Sequence, residues 1–178
     1  MSKQETTDYR AYRSTFTKKA QQIVQKLSLE EKIYLMSGLR TMEEVRKSIQ
    51  KKVNTHYNEV PYRAGGIDGK VPPVLFADGT KGVVCDRKTY TCFPVESMRG
   101  ASFDPMLEKE IGEAIGAEVL LAGANLFGGV CVNLPYHPGW GRAQETFGED
   151  PYLLGEMGAA LVEGVQTTGV IACVKHFA

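Results

Sequence analysis

An α/β fold is what this sequence predicts, on three observations. Three short apolar runs, "PVLFAD" ending at Asp78, "GVCVNL" and "GVIACV", show no apolar–polar alternation, the habit of strands covered on both faces in a parallel sheet. Two long amphipathic segments separate them, each opened by an Asp-Pro pair, so the order is strand, helix, strand, helix, strand. The polar residues gather just after the runs: Asp78 follows the first, Arg142 lies on the segment after the second, and Lys175 and His176 follow the third.

The chain has 178 residues, 43% of them hydrophobic, enough for one domain with a sizeable core. Lys+Arg and Asp+Glu are equal at 21 each, with no basic block and no heptad, which argues against nucleic acid or an anionic membrane as partner. A small neutral ligand suits this balance better. The start, "MSKQETTDYRAYRSTF", has no apolar signal region and no later run approaches a membrane span, so a cytoplasmic location is expected. Cys85, Cys92, Cys131 and Cys173 lack CxxC spacing, and two lie in apolar runs where a thiol acts as a small core residue. Neither a metal nor a cofactor is expected.

Taken in order, residues 1–60 read as a polar helical segment. Ser28 with Glu31, and Thr41 with Glu44, fit the capping box, in which side chain and backbone satisfy two helix-end donors reciprocally. Asn54 to Lys70 mixes Pro, Gly and Asn without periodicity and reads as a loop. Residues 61–178 hold the strand–helix alternation. Asp104 is placed to cap a helix with Pro105 in its first turn and Leu107, Ile111, Ile115 and Val119 as its apolar stripe. Asp150 and Pro151 repeat that start, with Leu153, Met157, Leu161 and Val165 on one face.

In a parallel sheet every strand's carboxyl end lies on the same side, so Asp78, Arg142, Lys175 and His176 should converge on one rim. Asp78 there can accept hydrogen bonds from two vicinal hydroxyls at once, as sugar recognition requires. Gly141 and Ala143 leave room around Arg142, and Trp140 offers an apolar face of the kind that stacks on a sugar ring. Glu149 and Asp150 are accounted for by the helix start. Glu145 either belongs to the site or buttresses Arg142 or Lys175.

The stretches "LSLEEKIYLMSG", "VLFADGTKGV", "TCFPVESMRGASFDP", "CVNLPYHPGWGRAQETFGEDPYLLGEMGAALVEGVQ" and "GVIACVKHFA" together resemble the N-terminal (β/α)-barrel domain of glycoside hydrolase family 3, the group of β-glucosidases and relatives. The similarity runs from about Leu27 to the last residue. It implies a partial eight-stranded barrel that stops before closure, with about three of the eight strands. It also implies a β-glucoside or oligosaccharide substrate, held by Asp78 on the outer hydroxyls of the cleavage-subsite sugar and by Arg142, Lys175 and His176 on neighbouring ones. Tyr136 stands where many members carry an arginine.

Retaining cleavage needs a nucleophilic carboxylate and a second carboxyl about 5 to 5.5 Å apart. The resemblance puts both downstream of the Lys-His-Phe element, so no catalytic residue is expected among these 178 residues and the chain alone is expected to be inactive. An open sheet of this kind is further expected to self-associate through its edges. The competing expectation, from a different class, is a non-catalytic sugar-binding or assembly module built from a partial barrel. A phosphate binder is disfavoured because no Gly-rich phosphate loop follows any strand.

Overall fold

A computed structural model describes residues 9–37, 43, 46–47, 62–85 and 88–177. Within it the chain forms two compact units, Met1–Leu39 with Gly65–Pro73, and Arg40–Ala64 with Val74–Ala178.

The first unit is helical: α1 (Tyr9–Ser14), α2 (Thr17–Gln25) and α3 (Leu29–Leu35). Ser28 caps α3 as its spacing predicts, its side chain accepting from the Glu31 amide while the Glu31 carboxylate accepts from the Ser28 amide. Two orphan donors are thereby satisfied. Glu31 also pairs with Lys70, which ties the Gly65–Pro73 turn to α3. The second capping box, at Thr41 and Glu44, lies outside the described residues.

The second unit is an α/β sheet of four strands in the order β1 (Tyr62–Ala64), β2 (Val74–Ala77), β3 (Leu126–Cys131), β4 (Ile171–Lys175). β2, β3 and β4 run parallel and β1 joins β2 antiparallel, so the sheet is mixed. The stretch read as a loop therefore contains a strand, whose pairing to β2 is a tertiary event that no local signal announces. Two short pieces complete the unit, α4 (Glu96–Gly100) and a 3-10 turn (Ala143–Glu145), with two long helices, α5 (Pro105–Leu121) and α6 (Pro151–Thr167).

Both long helices start where Asp-Pro predicts. Asp104 accepts from the Met106 and Leu107 amides and Asp150 from the Tyr152 amide, each beside a proline in the first turn. The stripe of α6 is buried at Met157, Leu161 and Val165. That of α5 needs correcting at its start: Leu107 is 44% exposed, and the buried face runs through Glu108, Gly112, Ile115, Gly116 and Val119. The reason is the helix crossing. A Cβ on Gly112 would come within 2.7 Å of the Leu161 carbonyl oxygen, and one on Gly164 within 2.1 Å of that of Lys109. The backbones meet there, and that meeting decides which face of α5 turns inward.

β3 is the spine of the core, with Phe127, Val130 and Cys131 fully buried among Ile115, Val119, Phe147 and Met157. Truncating Phe127 to Ala at such a site costs about 3–5 kcal/mol. The strand starts earlier than its apolar run suggests and includes Gly128 and Gly129. A Cβ on Gly128 would lie 2.3 Å from the Phe76 ring, and one on Gly129 would lie 1.7 Å from the Gly79 carbonyl oxygen. Here also the register slips: between Phe127↔Ala172 and Val130↔Val174, two residues of β3, Gly128 and Gly129, face one of β4, Cys173. Such a bulge re-aims the end of a strand, here the end that leads to the rim. β4 is less covered than expected, with Ile171 51% and Val174 55% exposed. Among the described residues it pairs with β3 alone, so it forms the sheet's edge.

Candidate functional site

The carboxyl ends of the three parallel strands open onto a hollow of about 610 Å³, lined among others by Asp78, Arg142, Glu145, Lys175 and His176. This volume falls within the usual range for small-molecule sites. Asp78, Arg142, Lys175 and His176, which are far apart in sequence, thus meet on one rim, and Glu145 meets them there. Trp140, on the same segment as Arg142, is half-buried and does not line the hollow.

Asp78 directly follows β2, which ends at Ala77. Lys175 Nζ donates to its Oδ1 at 3.0 Å, each side chain being 17% exposed. The loop after it returns on itself, the Val84 amide donating to the Asp78 carbonyl at 2.8 Å and the Phe93 amide to that of Lys81 at 2.8 Å. Gly79 makes this turn possible. Its φ is +125°, and a Cβ there would lie 1.8 Å from the Gly82 carbonyl oxygen. Thr91 closes the wall, its amide and hydroxyl both donating to the Glu118 carboxylate of α5.

Arg142 forks onto Glu145, Nε to Oε1 at 2.9 Å and Nη2 to Oε2 at 2.6 Å. This bidentate pair holds the Glu145 carboxyl below its ordinary range and raises the guanidinium further. Glu145 is therefore ionised and bonded to Arg142 on the same rim. Arg142 Nη1 also sits 3.2 Å from His176 Nε2. A guanidinium only donates, so Nε2 accepts and the imidazole proton sits on Nδ1, 2.6 Å from Asn133 Oδ1. Burial, then the charges of Arg142 and Lys175, push the His176 pKa below its usual value. The ring is neutral in this arrangement, and the Lys175–His176 peptide is cis.

Sequence reasoning missed Asn133. Its Oδ1 also accepts from the His176 amide at 3.0 Å, and its own carbonyl accepts from the Thr146 hydroxyl at 2.7 Å, so it fixes both the imidazole and the end of the Arg142 segment. The signal was present: Asn133 follows β3 as Asp78 follows β2. The Cys131 thiol lies 3.3 Å from Asn133 Oδ1 and 3.9 Å from His176 Nδ1. The thiol donates to Asn133 Oδ1 and faces the protonated nitrogen of the ring, and burial pushes it up, so no base activates it. No group of three or more His, Cys, Asp or Glu that could hold a metal occurs among the described residues.

A second cluster also escaped the sequence reading. Arg99 on α4 lies 3.4 Å from Glu96 and 3.5 Å from Glu108 of α5, with all three side chains at most 2% exposed. Burial raises both carboxyls to about 7. Arg99 Nη2 donates to the Thr80 carbonyl at 3.2 Å, and the guanidinium packs 5.6 Å from the Phe147 ring centre.

The fold and the hollow define an α/β domain with a polar cleft at the carboxyl ends of parallel strands, where this architecture binds its ligands. Residues 13–178 match the family description "Glycosyl hydrolase family 3 N terminal domain". Beta-glucosidase B of Emericella nidulans is 34% identical over 160 residues, covering 88% of this chain and 17% of that protein. The thermostable beta-glucosidase B of Acetivibrio thermocellus is 32% identical over 167 residues, covering 88% and 20%. Among solved structures, beta-glucosidase 3B from Thermotoga neapolitana in complex with α-D-glucose superposes with a TM-score of 0.74 at 32% identity, covering 89% of this chain and 23% of that one. The chain belongs to glycosyl hydrolase family 3, in its N-terminal domain. It spans about a fifth of the length of these relatives.

Proposed function

We propose that this chain forms the sugar-holding side of the cleavage subsite of a β-glucosidase-like, retaining glycoside hydrolase. Its three parallel strands are the first part of a (β/α) barrel in this reading. Asp78 accepts hydrogen bonds from two adjacent hydroxyls of a β-glucoside or oligosaccharide, while Lys175, Arg142 and His176 serve neighbouring hydroxyls, His176 Nε2 exchanging its Arg142 contact for a ligand hydroxyl. The observation that carries the reading is the shared rim: the Lys175–Asp78 pair at 3.0 Å and the Arg142–His176 contact at 3.2 Å face one hollow. Opposed charges held there offset one another until a polar ligand takes over part of their hydrogen bonding.

Hydrolysis asks for more than these groups supply. The carboxylates lining the hollow are Asp78 and Glu145. The first is salt-bridged and the second is kept ionised by Arg142, so neither holds a proton to give a leaving group at neutral pH. We assign nucleophile and acid/base to residues outside those described. The same commitment of both carboxylates favours a second reading, a non-catalytic sugar-binding or assembly module. Cys92, Cys131 and Cys173 are thiols outside any disulfide, which suits the cytoplasmic location proposed for the chain.

Titration calorimetry with glucose tests the binding claim, with Asp78→Ala as control. Saturable heat that disappears in Asp78→Ala is expected, and no heat at tens of millimolar glucose refutes it. An aryl-β-glucoside assay on this chain is expected to give no turnover. Turnover abolished by Glu145→Gln would overturn the division of labour.

A further inference from the structure

We infer that the buried Glu96–Arg99–Glu108 cluster is a positioning device for the hollow: Arg99 holds the Thr80 carbonyl, and with it the Asp78–Val84 loop, until the cluster gives up the proton its carboxyls share. The inference concerns the loop itself, and it rests on the sugar-site reading only in its consequence for affinity.

The argument begins with chemical type. Glu, Arg and Glu are predominantly surface residues, yet these three are essentially sealed from water. Taking charges out of water is costly, and the geometry does not fully offset it. The contacts of 3.4 and 3.5 Å are long for charge-assisted bonds, and among the described residues the Glu108 carboxylate oxygens have no hydrogen-bond partner. The one geometric hydrogen bond from the guanidinium goes elsewhere, to the Thr80 carbonyl. Thr80 stands two residues after Asp78, inside the turn closed by Val84. A core ion cluster is thus bonded to the wall of the hollow.

Two carboxyls and one guanidinium make this tether sensitive to protons. Facing Glu96 are Arg99 of its own helix, Glu145 of the 3-10 turn and the Thr80 side chain. Facing Glu108 are Arg99 and Glu96. With one proton between the carboxyls, the cluster is neutral and Arg99 has bonding capacity left for Thr80. With none, it carries one excess negative charge, both carboxylates pull on the guanidinium, and the 3.2 Å bond to Thr80 is the contact that yields. Both groups sit near pH 7, so the loop is held below neutrality and loosened above it.

Amide hydrogen exchange of the whole chain, read at Val84 and Phe93 between pH 6 and 8.5, is the test. After division by the intrinsic exchange rate, opening in the wild type should increase about three- to tenfold across pH 7, the equivalent of one hydrogen bond. Glu108→Gln, which keeps shape and removes one titration, should abolish that increase. Glu96→Gln is the second variant should the first not fold. A pH-independent opening in the wild type, or an increase that survives both substitutions, overturns the proposal. Glucose affinity read in parallel should fall by the same factor in the wild type alone. A loop response without any glucose binding would leave the positioning role standing and refute the sugar-site reading instead.

Discussion

The Lys175–Asp78 pair gives the sharpest quantitative prediction. At 3.0 Å, two unit charges in a medium of effective dielectric about 20 attract by about 5–6 kcal/mol, most of which is offset by desolvation. Removing one partner leaves the other charge in place, and for fully buried pairs that costs about 3–5 kcal/mol. Each side chain here retains 17% of its exposure, which lets water relieve part of the loss, so about 2–3 kcal/mol is expected for either Asp78→Asn or Lys175→Met. The double substitution removes both charges, so the deficits should not add. A coupling of about 1–2 kcal/mol is expected from a double-mutant cycle in urea unfolding. If the deficits add to within about 0.3 kcal/mol, the two groups do not interact in solution and the rim described above is not what the protein forms.

Further expectations follow from the same geometry. The His176 pKa is lower in the folded than in the unfolded chain, so the unfolded state takes up the proton first: the stability tied to neutral His176 is full above about pH 6.5 and is lost as pH falls through the folded value. The urea midpoint of the wild type should therefore drop more steeply below that pH than that of His176→Gln. For Glu108 the sign is opposite. Its raised carboxyl binds protons better when folded, so stability declines from about pH 4.5 towards 7, and Glu108→Gln should gain relative to wild type at pH 8 compared with pH 4.5. Gly79→Ala places a Cβ 1.8 Å from the Gly82 carbonyl at φ +125°, and a loss of about 2 kcal/mol or more in urea unfolding is expected. The β4 edge should drive self-association detectable by sedimentation, and Ile171→Lys, which puts a charge on an exposed edge position, should shift the distribution towards monomer.

What could be read from the chain beforehand divides along physical lines. Signals confined to a few adjacent residues came through, such as the Ser28 box and the Asp104-Pro105 and Asp150-Pro151 starts, because caps act over three or four positions. The rim also came through, since parallel strands put their carboxyl ends on one side and the polar residues there need only be counted. What was lost depends on partners remote in sequence. That the strand extends back through Gly128 is seen only when Phe76 and the Gly79 carbonyl are found in the space that side chains at Gly128 and Gly129 would fill. The pairing of Tyr62–Ala64 with β2 has no local pattern, and Leu107 sits on the wrong side of α5 because Gly112 and Gly164 set the crossing. Glu96, Arg99 and Glu108 escaped notice, since nothing in one dimension reports that a helix face has turned inward.

The commitment of the charges around the hollow carries the last step. Lining it are Asp78 and Glu145 as acids, Lys81, Arg142 and Lys175 as bases, and a neutral His176. Lys175 is engaged with Asp78, and Arg142 with Glu145, before any ligand arrives. A carboxylate engaged in this way keeps lone pairs for hydroxyl donors but no proton to donate, and an imidazole that accepts from Arg142 has given up its free basic nitrogen. The rim's donors and acceptors are fixed by one another, which is the preorganisation that the proposed sugar binding would use. Bond cleavage places the opposite demand on a carboxyl, a pKa lifted towards neutrality by burial. The described residues meet that demand at Glu96 and Glu108, which are sealed in the core rather than lining the hollow. On the function proposed above, an acid for bond cleavage would therefore have to reach this rim from outside the described residues, opposite Asp78, Arg142, Lys175 and His176.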